Sequence, residues 1–345
     1  MSGRRSIFAI QGAATWGTAV AVGANDGAMP KDLPTPAVDG EIVEDQTIAN
    51  FGELQYMDVV RESKQGTIPF TLRRTGDCWP LLAALFGNDT TTGSGPYTHT
   101  LNWQYSTSKF NTIAWEISDT DICEMPSVKP IGATFKPDGN GFVDCEIEFL
   151  ADTVNAETDD SLTNNAAAFN AVTYISKELK IPSEELRLRI NAQGGAALGS
   201  GDDIAAVDYT LSIRRPLEGD RVTAGVNTGA EKRISEPIQD GHSDIQLSFE
   251  VPDYSDITKF NDFKDETLYK AELYWARTVS SVAYSLTIQL GSLQPLPPGG
   301  NLPGQGRHPL IRNFRALEPQ STPTGFSTDD IINLVLVDNH SSVYA

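Results

Sequence analysis

The sequence predicts a mainly β protein: two tandem antiparallel β-sandwich domains, each with one short flanking α-helix. Three observations carry this. Short runs alternate apolar with polar residues, as in 142–152, where Cys145, Ile147 and Phe149 interleave with Asp144, Glu146 and Glu148. Tight-turn sequences such as Pro137-Asp138-Gly139-Asn140-Gly141 separate such runs and favour antiparallel neighbours. The stretch YTHTLNW at 97–103 returns as YKAELYW at 269–275, with Tyr, Leu and Trp at matching positions.

Taken in order, residues 12–47 are rich in Gly, Ala, Pro and Asp and read as an extended arm or long loop. A strand is expected near 54–61 and another at 67–74, where Ile68, Phe70 and Leu72 share a face. Pro69 marks the latter as an edge or a bulge. A helix follows at 80–86, with Pro80 in its first turn, Trp79, Leu82 and Phe86 as its stripe, and Gly87 as its stop. After the polar loop 88–96, Tyr97, His99, Leu101 and Trp103 form one strand face, and Ile113, Trp115 and Ile117 form the next. Strands near 131–135 and 142–152 close the first unit. Alternation is lost over 153–173, and strands resume at 186–190 and 207–213. The stretch 217–241 reads as an extended hairpin.

The second unit repeats the order of the first. Ile68, Phe70 and Leu72 align with Leu247, Phe249 and Val251, and the helix at 80–86 with one at 256–264. Tyr97, Leu101 and Trp103 align with Tyr269, Leu273 and Trp275, and Gly141-Phe142 with Gly325-Phe326. The domain division is therefore 1–47, arm and long loop; 48–160, first sandwich; 161–180, linker; and 181–345, second sandwich with a Pro/Gly-rich insertion at 295–309.

The chain has 345 residues, 39% of them hydrophobic, which is enough for packed cores, and a net charge of −20 that repels nucleic-acid phosphates. Its three cysteines, Cys78, Cys123 and Cys145, make no disulfide framework and fit a reducing compartment. The apolar run Ile7–Ile10 is too short for a signal peptide, and no run of about 18 apolar residues exists to span a membrane as a helix.

Chemistry is not visible. His99, His242, His308 and His340 are scattered without metal-ligand spacing, and His99 sits on an apolar strand face as a satisfied core histidine. His242-Ser243-Asp244 has the letters of a triad but not its geometry, because strand neighbours point to opposite faces. The Gly-rich 193–203 lacks the Lys-Ser/Thr of a phosphate loop. The pairs Asp159-Asp160, Asp202-Asp203 and Asp329-Asp330 lack calcium-loop spacing and read as solvated loop charge. Cys78 stands near a helix start, without a partner His. No catalytic, cofactor-binding or metal-binding residue is assigned, no cofactor is expected, and the protein is read as not an enzyme. Trp103, Trp115 and Trp275 take core-facing positions, which leaves Trp16 as the one exposed aromatic expected.

The order of these elements resembles the tail tube proteins of long-tailed (siphovirus-type) bacteriophages. The resemblance rests on Trp16-Gly17-Thr18 in the arm, LLAALFG at 81–87 after a strand, and the Gly/Thr loop before YTHTL at 97–101. It covers about 10–152 and 205–338. It implies a virion structural subunit that stacks as rings into a hollow tube for DNA passage during ejection, with inner strands joined into a β-barrel. The implied partners are further copies of the chain and other tail proteins, such as the tape measure, tail terminator and distal tail protein. Assembly would occur in the host cytoplasm, with DNA passing through unbound and no membrane partner. A duplicated chain would need three copies where single units need six, so a homotrimeric ring with pseudo-sixfold symmetry is favoured over a hexamer. An acidic lumen would keep DNA from sticking. The loop 88–96 and the stretch 217–241 are expected to make ring-to-ring contacts. The alternatives are a β-sandwich glycan-binding or adhesin module and another virion protein, such as a tail terminator.

Overall fold

The alternating runs form strands because period-two patterning buries one face of each strand against the opposite sheet. The computed structural model describes residues 7–35, 37, 39–44, 57–118, 121–158, 162–174, 179–219, 221, 233–252, 261–297 and 310–344. The first part of the chain carries β1 (Phe8–Ala13), β2 (Asp39–Glu44), β3 (Met57–Thr71), helix α1 (Trp79–Phe86), β4 (Thr90–Thr92), β5 (Tyr97–Asn102) and β6 (Phe110–Ser118). Next come β7 (Asp121–Pro137), β8 (Val143–Ala151), β9 (Asn155–Thr158), helix α2 (Ala166–Ala171), β10 (Arg187–Ala192), β11 (Asp203–Ile204) and β12 (Asp208–Arg214). The rest carries β13 (Leu217–Glu218), β14 (Ile238–Gln239), β15 (Asp244–Val251), β16 (Tyr269–Val279), β17 (Val282–Pro295), β18 (Leu310–Ala316) and β19 (Asn333–Asp338).

Every strand ladder among the described residues is antiparallel, and the architecture is a mainly β sandwich. One layer runs β3–β8–β7–β12–β15–β18–β17 without a break. The opposing layer has two parts. In one, β1–β6–β7 continues to β9. In the other, β10–β16–β17–β19–β5–β4 forms a row, with β11 on β10. The long strands β7 and β17 belong to both layers and turn the corners. Register shifts in β7 near Gly132 and in β16 near Tyr269 mark the bends. One apolar core lies between the layers and includes Phe70, Trp79, Trp115, Phe135, Leu211, Trp275 and Leu286.

The pairing pattern recurs. β3–β8–β7–β6–β1, with β9 on β7, is matched by β15–β18–β17–β16–β10, with β19 on β17. This recurrence corrects the residue alignment read from the sequence. It sets β16 beside β6, so that Ile113 and Trp115 correspond to Leu273 and Trp275. YTHTLNW, in β5, has no counterpart among the described residues. β5 belongs to a hairpin of the first half that pairs along its full length with β19 of the second. Alternating strands with a terminal Trp look alike in sequence, and only the hydrogen-bond partners separate them.

Other expectations shift. The strands expected at 54–61 and 67–74 form one strand, β3, so far as residues from 57 onward are concerned. The run Phe8–Ile10 is buried as β1 against β6. Helix α1 is buried on every side except Pro80, because it is apolar all round; it sits within the core rather than on its flank. Gly87 ends it in the left-handed conformation, φ 90°, as a stop glycine should. Of the helix expected at 256–264, residues 253–260 lie outside the described residues and 261–266 form turns. The second described helix is α2, inside the stretch read as linker. Asn165 caps it, and Phe169 packs with Val22 of the arm over the outer face of β1 and β6, on Ala9 and Ala114.

Candidate functional site

The long layer has two faces, and the sequence sets them apart by parity. Cys145, Ile147, Tyr209, Leu211, Ile213, Ile245, Leu247 and Phe314 point into the core. The opposite face carries Thr67, Thr134, Ser212, Gln246 and Ser248 among six carboxylates: Asp144, Glu146, Glu148, Asp208, Asp244 and Glu250. Four cations stand among them. Lys31 pairs with Asp144, Lys136 with Glu146 at 2.9 Å, and Arg315 with Asp244 at 3.2 Å. Arg214 lies opposite Asp244 in the register. The face is polar, modestly acidic, and continuous across both halves of the chain.

Two seams join those halves. In the first, β7 pairs with β12 over Leu211↔Phe135 to Arg214↔Gly132, and the Arg215 amide extends the ladder to the Ile131 carbonyl at 2.7 Å. Gly132 suits this close approach, since a Cβ there would lie 3.0 Å from the Ile213 carbonyl oxygen. Arg215 is 1% exposed. It donates to the Leu85 carbonyl at 2.9 Å, the Tyr105 carbonyl at 3.1 Å and Gln239 Oε1 at 2.9 Å, and its guanidinium lies 4.1 Å from the Trp103 ring centre. It thereby satisfies a C-terminal carbonyl of α1 and ties α1 and the chain after β5 to β12. Burial lowers its pKa to about 10. Lys129 on β7 similarly reaches Glu236 and the Pro237 carbonyl, each at 2.8 Å.

The second seam is β5 on β19, from Asn333↔Asn102 to Asp338↔Tyr97. His99 is buried in it. Its Nδ1 meets Thr91 Oγ1 at 3.0 Å and Asp89 at 3.5 Å; its Nε2 meets the His340 carbonyl at 2.9 Å and Asp338 at 3.2 Å. Burial pushes its pKa down, but hydrogen bonds and charge from Asp338 and Asp89 outweigh that and raise it to about 9. The chain's end is bound into the same cluster. The Tyr344 hydroxyl donates to Asp338 at 2.6 Å and accepts from the Gly76 amide at 3.1 Å, and the Tyr344 amide donates to Asp89 at 2.6 Å.

A model of the phage tail tube protein family matches residues 3–314. The chain belongs to the phage tail tube protein family. It is accordingly a structural subunit of a phage tail tube, a component of the virion tail. No curated protein matches the chain.

Several residues of types that can carry chemistry are held in structural contacts among the described residues. His340 stacks on Tyr344, with ring centres 4.5 Å apart; His242 is exposed in a loop. His308 and the pair Asp159-Asp160 lie outside the described residues. Asp202 accepts from the Gly199 amide and from Asn191, and Asp203 pairs with Arg189, so the Gly-rich 193–203 is a pinned turn. Cys78 hydrogen-bonds Cys145, and this with burial holds its pKa well above the ordinary value. Burial raises Cys123 to about 11. Trp16 is half-buried rather than exposed: its Nε1 donates to the Ile234 carbonyl at 3.0 Å and its ring meets Phe110 edge-on. Sequence reading missed Arg215, although a signal was present. It continues the inward parity of Tyr209, Leu211 and Ile213, and a cation at an inward position marks a buried contact.

Proposed function

We propose that this tail tube protein, of the long-tailed siphovirus type, arose by duplication of one tube unit and closes three copies into a ring with pseudo-sixfold symmetry. The rings stack into a hollow conduit through which DNA passes during ejection. The observation that carries this reading is the unbroken layer β3–β8–β7–β12–β15–β18–β17, in which two recurrences of one pairing pattern already stand side by side. A ring needs only to repeat that arrangement. The polar face then lines the lumen. Its carboxylates outnumber its cations, and three of those cations are paired, so few are free to hold a phosphate backbone.

The role is structural rather than enzymatic. The partners are further copies of the chain within and between rings, together with the tape measure, tail terminator and distal tail proteins, and assembly takes place in the host cytoplasm. The division into an arm at 1–47, units at 48–160 and 181–345, and a joining segment at 161–180 belongs to the same proposal. A glycan-binding module is the weaker reading, because Trp79, Trp103, Trp115 and Trp275 are all in the core and Trp16 is tied to Phe110. Electron microscopy of the purified protein at rising concentration tests the proposal. Stacked rings or hollow tubes are expected; a persistent monomer that binds glycans favours the alternative.

A further inference from the structure

The long layer has two ends. At one, the segment 30–33 lies against β3: Pro30 bridges Phe70, and the Lys31 amide donates to the Pro69 carbonyl at 2.7 Å. Its outward side has no strand partner among the described residues, and Leu33 there is 38% exposed. At the other end, 293–295 of β17 pairs with β18, and the Leu296 amide donates to the Asn313 carbonyl at 2.8 Å. Past the Tyr269↔Leu293 pair, its opposite side carries no strand among the described residues.

These ends correspond to the two sides of the β7–β12 seam. Phe135 lies opposite Cys145, which lies opposite Phe70; Pro295 lies opposite Phe314, which lies opposite Leu247. Pro295 therefore holds the place of Phe135. Leu211 lies opposite Leu247, and Pro30 opposite Phe70, so Pro30 holds the place of Leu211. Within the chain, Leu211 meets Phe135 and Ser212 meets Thr134. The same register between chains sets Pro30 against Pro295 and Lys31 against Gln294.

One difference is decisive. The Arg215 amide bonds to Ile131, so Leu211 and Ile213, at the same parity, also turn their backbone toward β7. Their place at the open end is taken by Pro30, and the facing position by Pro295. Neither proline has an N–H to donate. We propose that a second copy of this chain docks edge to edge here, Pro30 and Lys31 of one copy against Pro295 and Gln294 of the next, in the register of the internal seam but without its backbone ladder at Pro30 and Pro295. The proposal rests on the ring reading above and specifies its chain-to-chain contact. Prolines at both edges also keep a free chain from pairing with the wrong strand before a ring closes.

The test is oxidative cross-linking of assembled K31C/Q294C. The pair falls at a non-hydrogen-bonded position, where Cβ atoms come closest, and the three native cysteines are all buried. The expected product is a covalent ladder ending at three chains. The control T134C/S212C, across the internal seam, should link within one chain and leave its mass unchanged. In parallel, Pro30→Thr with Pro295→Thr restores two donors and should let rings persist at lower protein concentration. Rings that form but give no chain-to-chain link overturn the proposed contact. If the unaltered protein forms no rings at all, the ring reading itself fails and the contact falls with it.

Discussion

Arg215 shows what a single buried cation does when both terminal nitrogens of its guanidinium find oxygen acceptors. Truncation leaves the Leu85 and Tyr105 carbonyls without that donor and opens space beside Trp103, so Arg215→Ala should cost about 3–5 kcal/mol, read from denaturant unfolding. Arg215→Lys should recover only part, because an ammonium cannot reach both carbonyls while lying flat on the indole. His99 makes a different prediction. Its folded-state pKa of about 9 lies above the unfolded value of 6.5, so the fold binds this proton more tightly than the unfolded chain does. The stabilisation is complete below pH 6.5 and is lost as pH rises through about 9. The full amount is roughly 3 kcal/mol. Unfolding free energies of wild type and His99→Gln, measured from pH 6 to 10, should converge toward the alkaline end. A constant gap between them would exclude a role for the proton.

Among elements, the hairpin β4–β5 departs most from what the sequence suggests. The sequence marks 88–96 as a polar loop expected to make ring-to-ring contacts, and 92–96 are exposed. In the structure Thr90–Thr92 pair with β5, and Asp89 and Thr91 reach His99, so the loop helps hold the two halves together. Deleting 89–94 should therefore lower the stability of the single chain, measured by thermal unfolding at concentrations too low for assembly. An unchanged transition would return the loop to an external role. Much of the fold was legible locally. Period-two runs located β5, β6, β8, β12 and β15, and Pro80 with Gly87 bracketed α1 to within a residue. What was not legible was partnership. Trp103 and Trp115 occupy similar patterns, and nothing local tells which one matches Trp275. Of the candidate site, the acidic alternation of Asp144, Glu146 and Glu148 was plain in the sequence. That it joins Asp208, Asp244 and Glu250 on one face depends on the β7–β12 seam, a long-range pairing.

For the whole molecule, that seam joins the two halves of the chain into one surface. If the polar face lines a lumen, replacing Glu146 and Glu148 by Lys should convert a passive wall into a brake. Assembled tubes of this variant should retain DNA at low salt and release it as salt rises, whereas wild-type tubes retain little at either. Equal retention by both would place this face elsewhere in the particle. The central claim is that one chain supplies two successive ring positions. Counting chains per ring by native mass spectrometry tests it most directly. Three chains are predicted; six would contradict the account.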